Sequence, residues 1–254
     1  MDAVLSLTDL TAAQFLICVA VTFIAGMVRG FSGFALSALV MASLAIMIPP
    51  VELIAVCWFL EISASLLMVR GGVKEADMKV VFGLVIGSAM GYPMGLYLTN
   101  TLPVETSKAI ALVVILVLAA TQLLKLRPTF LATTPGLYVS GLLAGIATGL
   151  ASVGGMIVAL YVLARDAPAR MMRGSLVMFL FIGSLVSFVY LSLFGMMVSA
   201  VVARGLILAV PCMIGVVVGK TLFMPSLEGY YRPFCLALLI FLASVGLVRL
   251  AAGG

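Results

Sequence analysis

The sequence predicts an all-α polytopic membrane protein made of two inverted structural repeats. Each repeat is a broken or re-entrant helical hairpin followed by three transmembrane helices. Three observations lead there. Of 254 residues, 65% are hydrophobic and only 9% are charged, and the mean hydropathy is +1.35. A soluble domain is roughly half apolar and about a quarter charged, and part of every soluble fold must face water. Lipid is therefore the solvent for most of this chain, which excludes soluble enzymes, nucleic-acid binders and secreted disulfide scaffolds. The second observation is a pair of apolar stretches too long to cross a bilayer once. The third is an internal repeat.

The elements follow in order. Residues 10–51 hold Arg29 as their only charge. As one straight helix these 42 residues would span roughly 63 Å, about twice the 30 Å hydrocarbon core. The stretch must bend or double back, and GMVRGFSGF at 26–34 supplies the break. A hairpin is predicted over 10–48. Helices over 51–69, 79–98 and 104–124 follow, separated by RGGVKEADMK at 70–79 and by 99–106. Glu52, beside Pro49-Pro50, reads as a helix-start residue favoured by the helix dipole. The segment KLRPTFLATT at 125–134 divides the halves. Residues 128–164 are again uncharged, 37 residues or roughly 55 Å as a helix. GIATGLASVGG at 145–155 breaks them, giving a second hairpin over 135–164. Helices over 170–194, 199–222 and 231–250 complete the chain. The first membrane repeat is 10–125 and the second 133–250.

The repeat appears when the chain slides by 119 residues. Ala25-Gly26 falls on Ala144-Gly145, Gly30 on Gly149, Leu44-Ala45 on Leu163-Ala164, Pro49 on Pro168, and Ser65-Leu66 on Ser184-Leu185, with no gap. Further on, at an offset of 124, Gly91 and Gly95 meet Gly215 and Gly219. Duplicated halves with interrupted hydrophobic segments at matching positions are the signature of secondary transporters. Gly87, Gly91 and Gly95 share one helical face, as do Gly215 and Gly219, and both sets read as close helix contacts. Pro93 and Pro211 read as kinks.

Basic residues set the orientation. If each long stretch crossed once, one face would carry 7 Lys and Arg and the other 6. If each is a hairpin, Arg70, Lys74, Lys79, Lys125, Arg127, Arg165, Arg170, Arg173, Lys220 and Arg232 share one face, 10 in all. Lys108, Arg204 and Arg249 then share the other, 3 in all. The positive-inside rule selects the hairpin arrangement and puts both termini outside. The first 14 residues carry Asp2 and Asp9 but no Lys or Arg, so no secretory signal is read there.

Candidate site residues cluster at the breaks. Gly30-Phe31-Ser32-Gly33 and Ser152-Val153-Gly154-Gly155 would offer backbone N–H groups at helix starts, a positive dipole end, and hydroxyls from Ser32 and Ser152, which together suit an oxyanion. The same glycines would equally serve close helix packing. Arg29 is a charge near mid-membrane, which is costly and points to function. It reads either as a partner for an anionic substrate or as one half of an internal ion pair. Glu61 lies inside the third apolar segment and reads as a protonation site for coupling, as the neutraliser of Arg29, or as a carboxyl bonded to neighbouring helices. Their repeat partners are Thr148 and Leu180, so neither charge is needed in both halves. Trp58, Phe59, Tyr92, Tyr97, Phe179 and Tyr190 are candidates for the wall of a pathway. Cys18, Cys57, Cys212 and Cys235 sit apart in apolar runs and read as buried free thiols. With no histidine and no acidic cluster, no metal site and no cofactor is expected.

A glycine-rich break in the first segment, a proline near its end and a following apolar helix, all repeated in the second half, resemble the TauE/SafE family of sulfite and organosulfonate exporters. The likeness covers almost the whole chain, with Ser152-Val153-Gly154-Gly155 nearer the family's glycine-rich tract than Gly30-Phe31-Ser32-Gly33. It implies a secondary-active transporter of small sulfur-containing anions in a bacterial-type cytoplasmic (inner) membrane. Coupling to an ion or proton gradient and alternating access around a midplane site at the two hairpin tips go with it. The expected partners are a small anionic substrate and the lipid bilayer, without nucleic acid; a homodimer is left open. The alternatives are an anion channel and, further off, a membrane-embedded enzyme, for which the sequence offers no nucleophile–base set.

Overall fold

The computed structural model describes residues 6–126, 129–165, 168–222 and 228–252. All regular structure among them is helical. The helices are α1 (Ala12–Ser32), α2 (Leu36–Leu44), α3 (Pro50–Glu75), α4 (Met78–Thr101), α5 (Val104–Leu123), α6 (Thr134–Ala151), α7 (Gly154–Ala164), α8 (Ala169–Leu193), α9 (Ser199–Leu222) and α10 (Glu228–Ala251). A short 3₁₀ turn, Thr129–Ala132, precedes α6. Eight of the helices are long and apolar enough to cross a membrane; α2 and α7, with 9 and 11 residues, are not.

Local chemistry fixes the helix ends. Thr11 and Gln14 form a reciprocal capping box at the start of α1. The Asp77 carboxylate accepts from the N–H groups of Lys79 and Val80, and Thr133 accepts from Gly136. Pro49, Pro103 and Pro168 precede α3, α5 and α8, each at a place where a missing N–H does no harm. Helix α3 runs to Glu75 rather than stopping at 69, because Gly71 and Gly72 stay helical. Arg70, Lys74 and Glu75 therefore ride on a helical extension rather than on a loop.

Both long apolar stretches divide inside the predicted clusters 26–34 and 145–155, at their C-terminal ends. Gly26 and Gly30 remain inside α1, and Gly145 and Gly149 inside α6. The chain breaks at Gly33, with φ +79°, and at Ser152, with φ +58°. These positions are 119 apart, so the two halves turn into the left-handed region at the same place in the repeat. Each turning residue donates its N–H back four residues, Gly33 to Arg29 and Ser152 to Thr148, in a left-handed helix cap. Ala35 also has φ +72°, a strained conformation for a residue with a Cβ.

The mid-helix glycines pack helices. A Cβ on Gly87 would lie 2.7 Å from the Tyr138 carbonyl oxygen, and one on Gly141 2.6 Å from that of Leu84. Gly87, Gly91 and Gly95 meet Tyr138, Leu142 and Ile146 in ascending order, so α4 and α6 run the same way with backbones in contact. Gly26 and Gly30 meet Cys212 and Val216 likewise, which makes α1 and α9 the second parallel pair. Under exchange of halves α1 becomes α6 and α9 becomes α4, so the two interfaces correspond. The opposite faces of these helices carry exposed stripes, Met90, Met94 and Tyr97 on α4 and Leu206, Val210, Ile214 and Val217 on α9. Such apolar surface requires lipid.

Two cation contacts place the ends of the long stretches. Arg204, near the start of α9, donates to the Thr8 carbonyl and to the Glu52 carboxylate. The residue before α1 and the first turn of α3 thus meet at one end of the bundle. At the other end Arg165, after α7, lies 3.9 Å from Asp77, between α3 and α4. Leu137, in the first turn of α6, packs there on Gly83 of α4.

Candidate functional site

The last turn of α1 carries Arg29, which is fully buried. One of its terminal nitrogens donates to the Gly33 carbonyl across the break. The other donates to Ser65 Oγ at 3.2 Å and lies 3.5 Å from Glu61 Oε2. Glu61 and Ser65 are one turn apart on α3 and so present one face to Arg29. Ser37 of α2 donates to Glu61 Oε1 at 2.7 Å. Two polar atoms of this cluster have no hydrogen-bond partner, Arg29 Nε and Glu61 Oε2. Glu61 Oε2 is instead held in the ion pair with Arg29 at 3.5 Å.

Glu61 faces a cavity of about 40 Å³. Trp58 and Ile54 of α3 line it with Ser88 and Tyr92 of α4, Thr148 of α6, Ser152 at the break, Gly154 and Gly155 of α7, and Phe179, Ser184 and Ser187 of α8. A single water needs roughly 10–15 Å³ on this scale, so the space suits a group of about three or four heavy atoms. The start of α7 opens into it. Its N-cap is Val153, which has no side chain able to cap, so no side chain satisfies the first N–H groups of that helix. The positive end of the α7 dipole therefore faces the cavity. Gly154 also lets α7 begin against α6: its Cβ would lie 3.1 Å from the Ala144 carbonyl carbon. Packing alone is enough to require glycine there.

A second cavity, of about 190 Å³, lies toward the other end, lined by Met68, Gly72 and Glu75 of α3, Arg173 and Val177 of α8, and Lys220 of α9. Arg173 and Val177 are the repeat partners of Ile54 and Trp58, and Met68 is that of Ser187. The two cavities thus share these three positions under exchange of halves, but the break residues line only the first.

The structure divides the residues expected to form one site. Ser152, Gly154, Gly155, Glu61, Trp58, Tyr92 and Phe179 gather at the small cavity. Val153 is buried beside it. Arg29, Gly30, Phe31, Ser32 and Gly33 do not line it. Arg29 stands behind Glu61, the Gly30 carbonyl accepts from Arg173 at 2.7 Å, and Gly33 packs on the Arg173 stem. The Ser32 hydroxyl is taken up locally by the Val28 carbonyl at 2.7 Å. Two expected wall residues lie elsewhere. Tyr97 is 62% exposed on the lipid-facing stripe, where an amphipathic ring is at home. Phe59 packs on Gly205 of α9, which has no side chain to keep the ring away. Tyr190 stacks 5.9 Å from Tyr92. All four cysteines are free and buried, and Cys57 lies within hydrogen-bonding reach of both Ser37 and Ser152, between the two breaks. Among the described residues no group of three His, Cys, Asp or Glu could hold a metal.

A family model described as sulfite exporter TauE/SafE matches residues 18–245, which span both breaks, Arg29, Glu61 and every residue of the small cavity. The chain belongs to the TauE/SafE family. No curated protein and no solved structure matches it. Membership in a family of membrane exporters agrees with the eight apolar helices and makes the chain an integral membrane protein of transporter type. Neither Ser88 nor Ser187 stands out in the sequence, since single serines in apolar spans are common and carry no spacing signal.

Proposed function

We propose that this TauE/SafE protein is a secondary-active exporter of small sulfur oxyanions, holding its substrate in the Glu61 cavity against the start of α7. The observation that carries the reading is the meeting of an uncapped helix start and a buried carboxylate in one small cavity. The helix start suits an oxyanion, and the carboxylate supplies a group through which proton and anion movements couple. Arg29 neutralises Glu61 and reaches the substrate only when Glu61 releases it.

The proposed transport cycle is alternating access between inverted halves. Three contacts support the inversion. Arg204 ties Thr8 to Glu52, so 10–51 leaves and returns at one end as a hairpin. Arg165 near Asp77, with Leu137 on Gly83, does the same for 128–164 at the opposite end. Helices α4 and α6 are parallel, and the short α3–α4 connection makes α4 opposite to α3. Helix α6 then opposes α1, its partner in the repeat. The basic end holding Arg165, Arg173 and Lys220 faces the cytoplasm by the positive-inside rule, and both termini lie outside in an inner membrane. The paired cavities are the two half-pathways, which open in turn.

Counterflow in proteoliposomes tests this. Vesicles loaded with unlabelled sulfite should transiently accumulate labelled sulfite from outside above its equilibrium level. Simple equilibration without overshoot would identify a channel, and no sulfite-dependent flux would refute the reading.

A further inference from the structure

Resting on the proposed function, we infer that the cavity selects a singly protonated oxyanion, hydrogen sulfite rather than sulfite dianion or a sulfonate, and that Glu61 reads the proton. The wall is richer in acceptors than an anion site needs. Glu61 lines the cavity and is about nine-tenths buried, with its Oε2 turned to the Arg29 guanidinium at 3.5 Å. Thr148 and Ser184 donate their hydroxyl protons into their own helices, to Ala144 and Leu180 at 2.6 Å each, and so present lone pairs to the cavity. The Trp58 indole N–H, the other strong donor, is committed to the Ser184 carbonyl at 2.8 Å. The α7 start offers the ligand N–H groups, and the hydroxyls of Ser88 and of Ser187, the latter bonded to Tyr92, can donate or accept. A ligand that fits both sides carries bare oxygens on one face and an O–H on the other.

The charges agree. Around Glu61 stand Arg29 from α1, the thiol of Cys57 on its own helix and that of Cys212 from α9, with the Tyr92 hydroxyl of α4 across the cavity. Helices α2, α6 and α8 offer it or the cavity only hydroxyls, from Ser37, Thr148, Ser184 and Ser187. One cation thus serves one carboxylate, and nothing in the wall offsets a second ligand charge. A dianion or a sulfonate would set a bare anionic oxygen against the Glu61 carboxylate. Hydrogen sulfite instead donates its O–H to the Glu61 carboxylate while its other oxygens accept from the α7 N–H groups. No covalent bond changes, and the proton travels with the substrate. The cavity's 40 Å³ also favours a ligand of four heavy atoms over a longer aminosulfonate.

Competition against labelled sulfite flux in proteoliposomes tests the inference. Methanesulfonate has the same single charge as hydrogen sulfite but no proton to donate, and sulfate is a dianion at neutral pH. In tenfold excess, each should slow wild-type flux less than twofold. Glu61→Gln, whose amide can donate to a sulfonate oxygen, should move the sulfite-to-methanesulfonate affinity ratio at least tenfold toward methanesulfonate. Methanesulfonate competing as well as unlabelled sulfite in the wild type would overturn the inference while leaving sulfur-anion transport standing. An unchanged ratio in Glu61→Gln would do the same. Absence of any sulfite flux would overturn the transport reading and this inference with it. If Glu61→Gln does not fold, the wild-type competition decides alone.

Discussion

Replacing Gly87 by alanine tests whether α4 and α6 are in backbone contact. The added Cβ would stand 2.7 Å from the Tyr138 oxygen, 2.9 Å from the Leu142 nitrogen and 3.0 Å from the Gly141 Cα. Ordinary contact begins near 3.4 Å, so the helices must part by about 0.7 Å, the difference between 3.4 and 2.7. A radial gap of that size forfeits roughly a quarter to a half of each dispersion well along the interface. All three neighbours are backbone atoms, with no flexible side-chain end to swing away, so the cost belongs in the upper part of the ~1–3 kcal/mol range for overpacking. Alanine's helix propensity returns up to ~1 kcal/mol. Gly71 is the control: it is helical, and a Cβ there meets nothing within 4 Å. Gly71→Ala should keep the propensity gain without the clash. The two variants should therefore differ by about 2–3 kcal/mol, or roughly 5–10 °C in melting temperature for a chain of this size. The assay is the fraction of monodisperse protein left after heating in detergent. Equal melting of the two variants would refute the close α4–α6 contact, and with it the parallel pairing on which the proposed inverted topology rests.

Three further outcomes are expected. Arg29→Gln alone strands the Glu61 carboxylate in a low-dielectric interior and should cost roughly 3–5 kcal/mol, while Arg29→Gln with Glu61→Gln should regain stability yet not pH-coupled flux; wild-type flux and pH response in the double variant would leave a structural ion pair only. Arg204→Met removes the donor shared by Thr8 and Glu52 and should destabilise by about 1–3 kcal/mol, whereas Glu52→Gln, which keeps an acceptor oxygen, should melt closer to wild type; the reverse order would dismiss Arg204 as the tie between them. In a background without the four cysteines, Asn100→Cys should react from outside with an impermeant thiol reagent, and Lys74→Cys and Arg165→Cys should not; labelling of Arg165→Cys beside a protected Lys74→Cys would make 128–164 a single crossing.

Much of the fold is legible because lipid punishes every charge: runs between charges mark the spans, and six long helices start or end within a few residues of the predicted bounds. The stretch 10–51 was harder. Its glycines mark the region of the break, but a glycine in a membrane helix serves packing as readily as turning, and only the conformation tells which one turns. Gly26 and Gly30 pack on α9, while Gly33 of the same cluster makes the turn, with Ala35 beside it. In the sequence Arg204 counts only as one of three basic residues on the outer face, since nothing local distinguishes a cation at a helix start from one that bonds two distant segments. Arg127, counted on the basic face, lies outside the described residues.

The candidate site was half legible for a related reason. The repeat predicts equal backbone breaks, and Gly33 and Ser152 provide them. It does not predict equal chemistry. Where the first half has Arg29, Ser37 and Glu61, the second has Thr148, Met156 and Leu180. One half therefore supplies the charge pair and the other supplies the uncapped helix start, and neither makes a site alone. Glu61 belongs to both, paired with Arg29 on one side and open to the α7 cavity on the other. That position gives a physical reason for the carboxylate to survive in one half only. A second acid at Leu180 would lack a cation, because its matching position for Arg29 is Thr148. An uncompensated buried carboxylate of that kind costs more than the fold can spare.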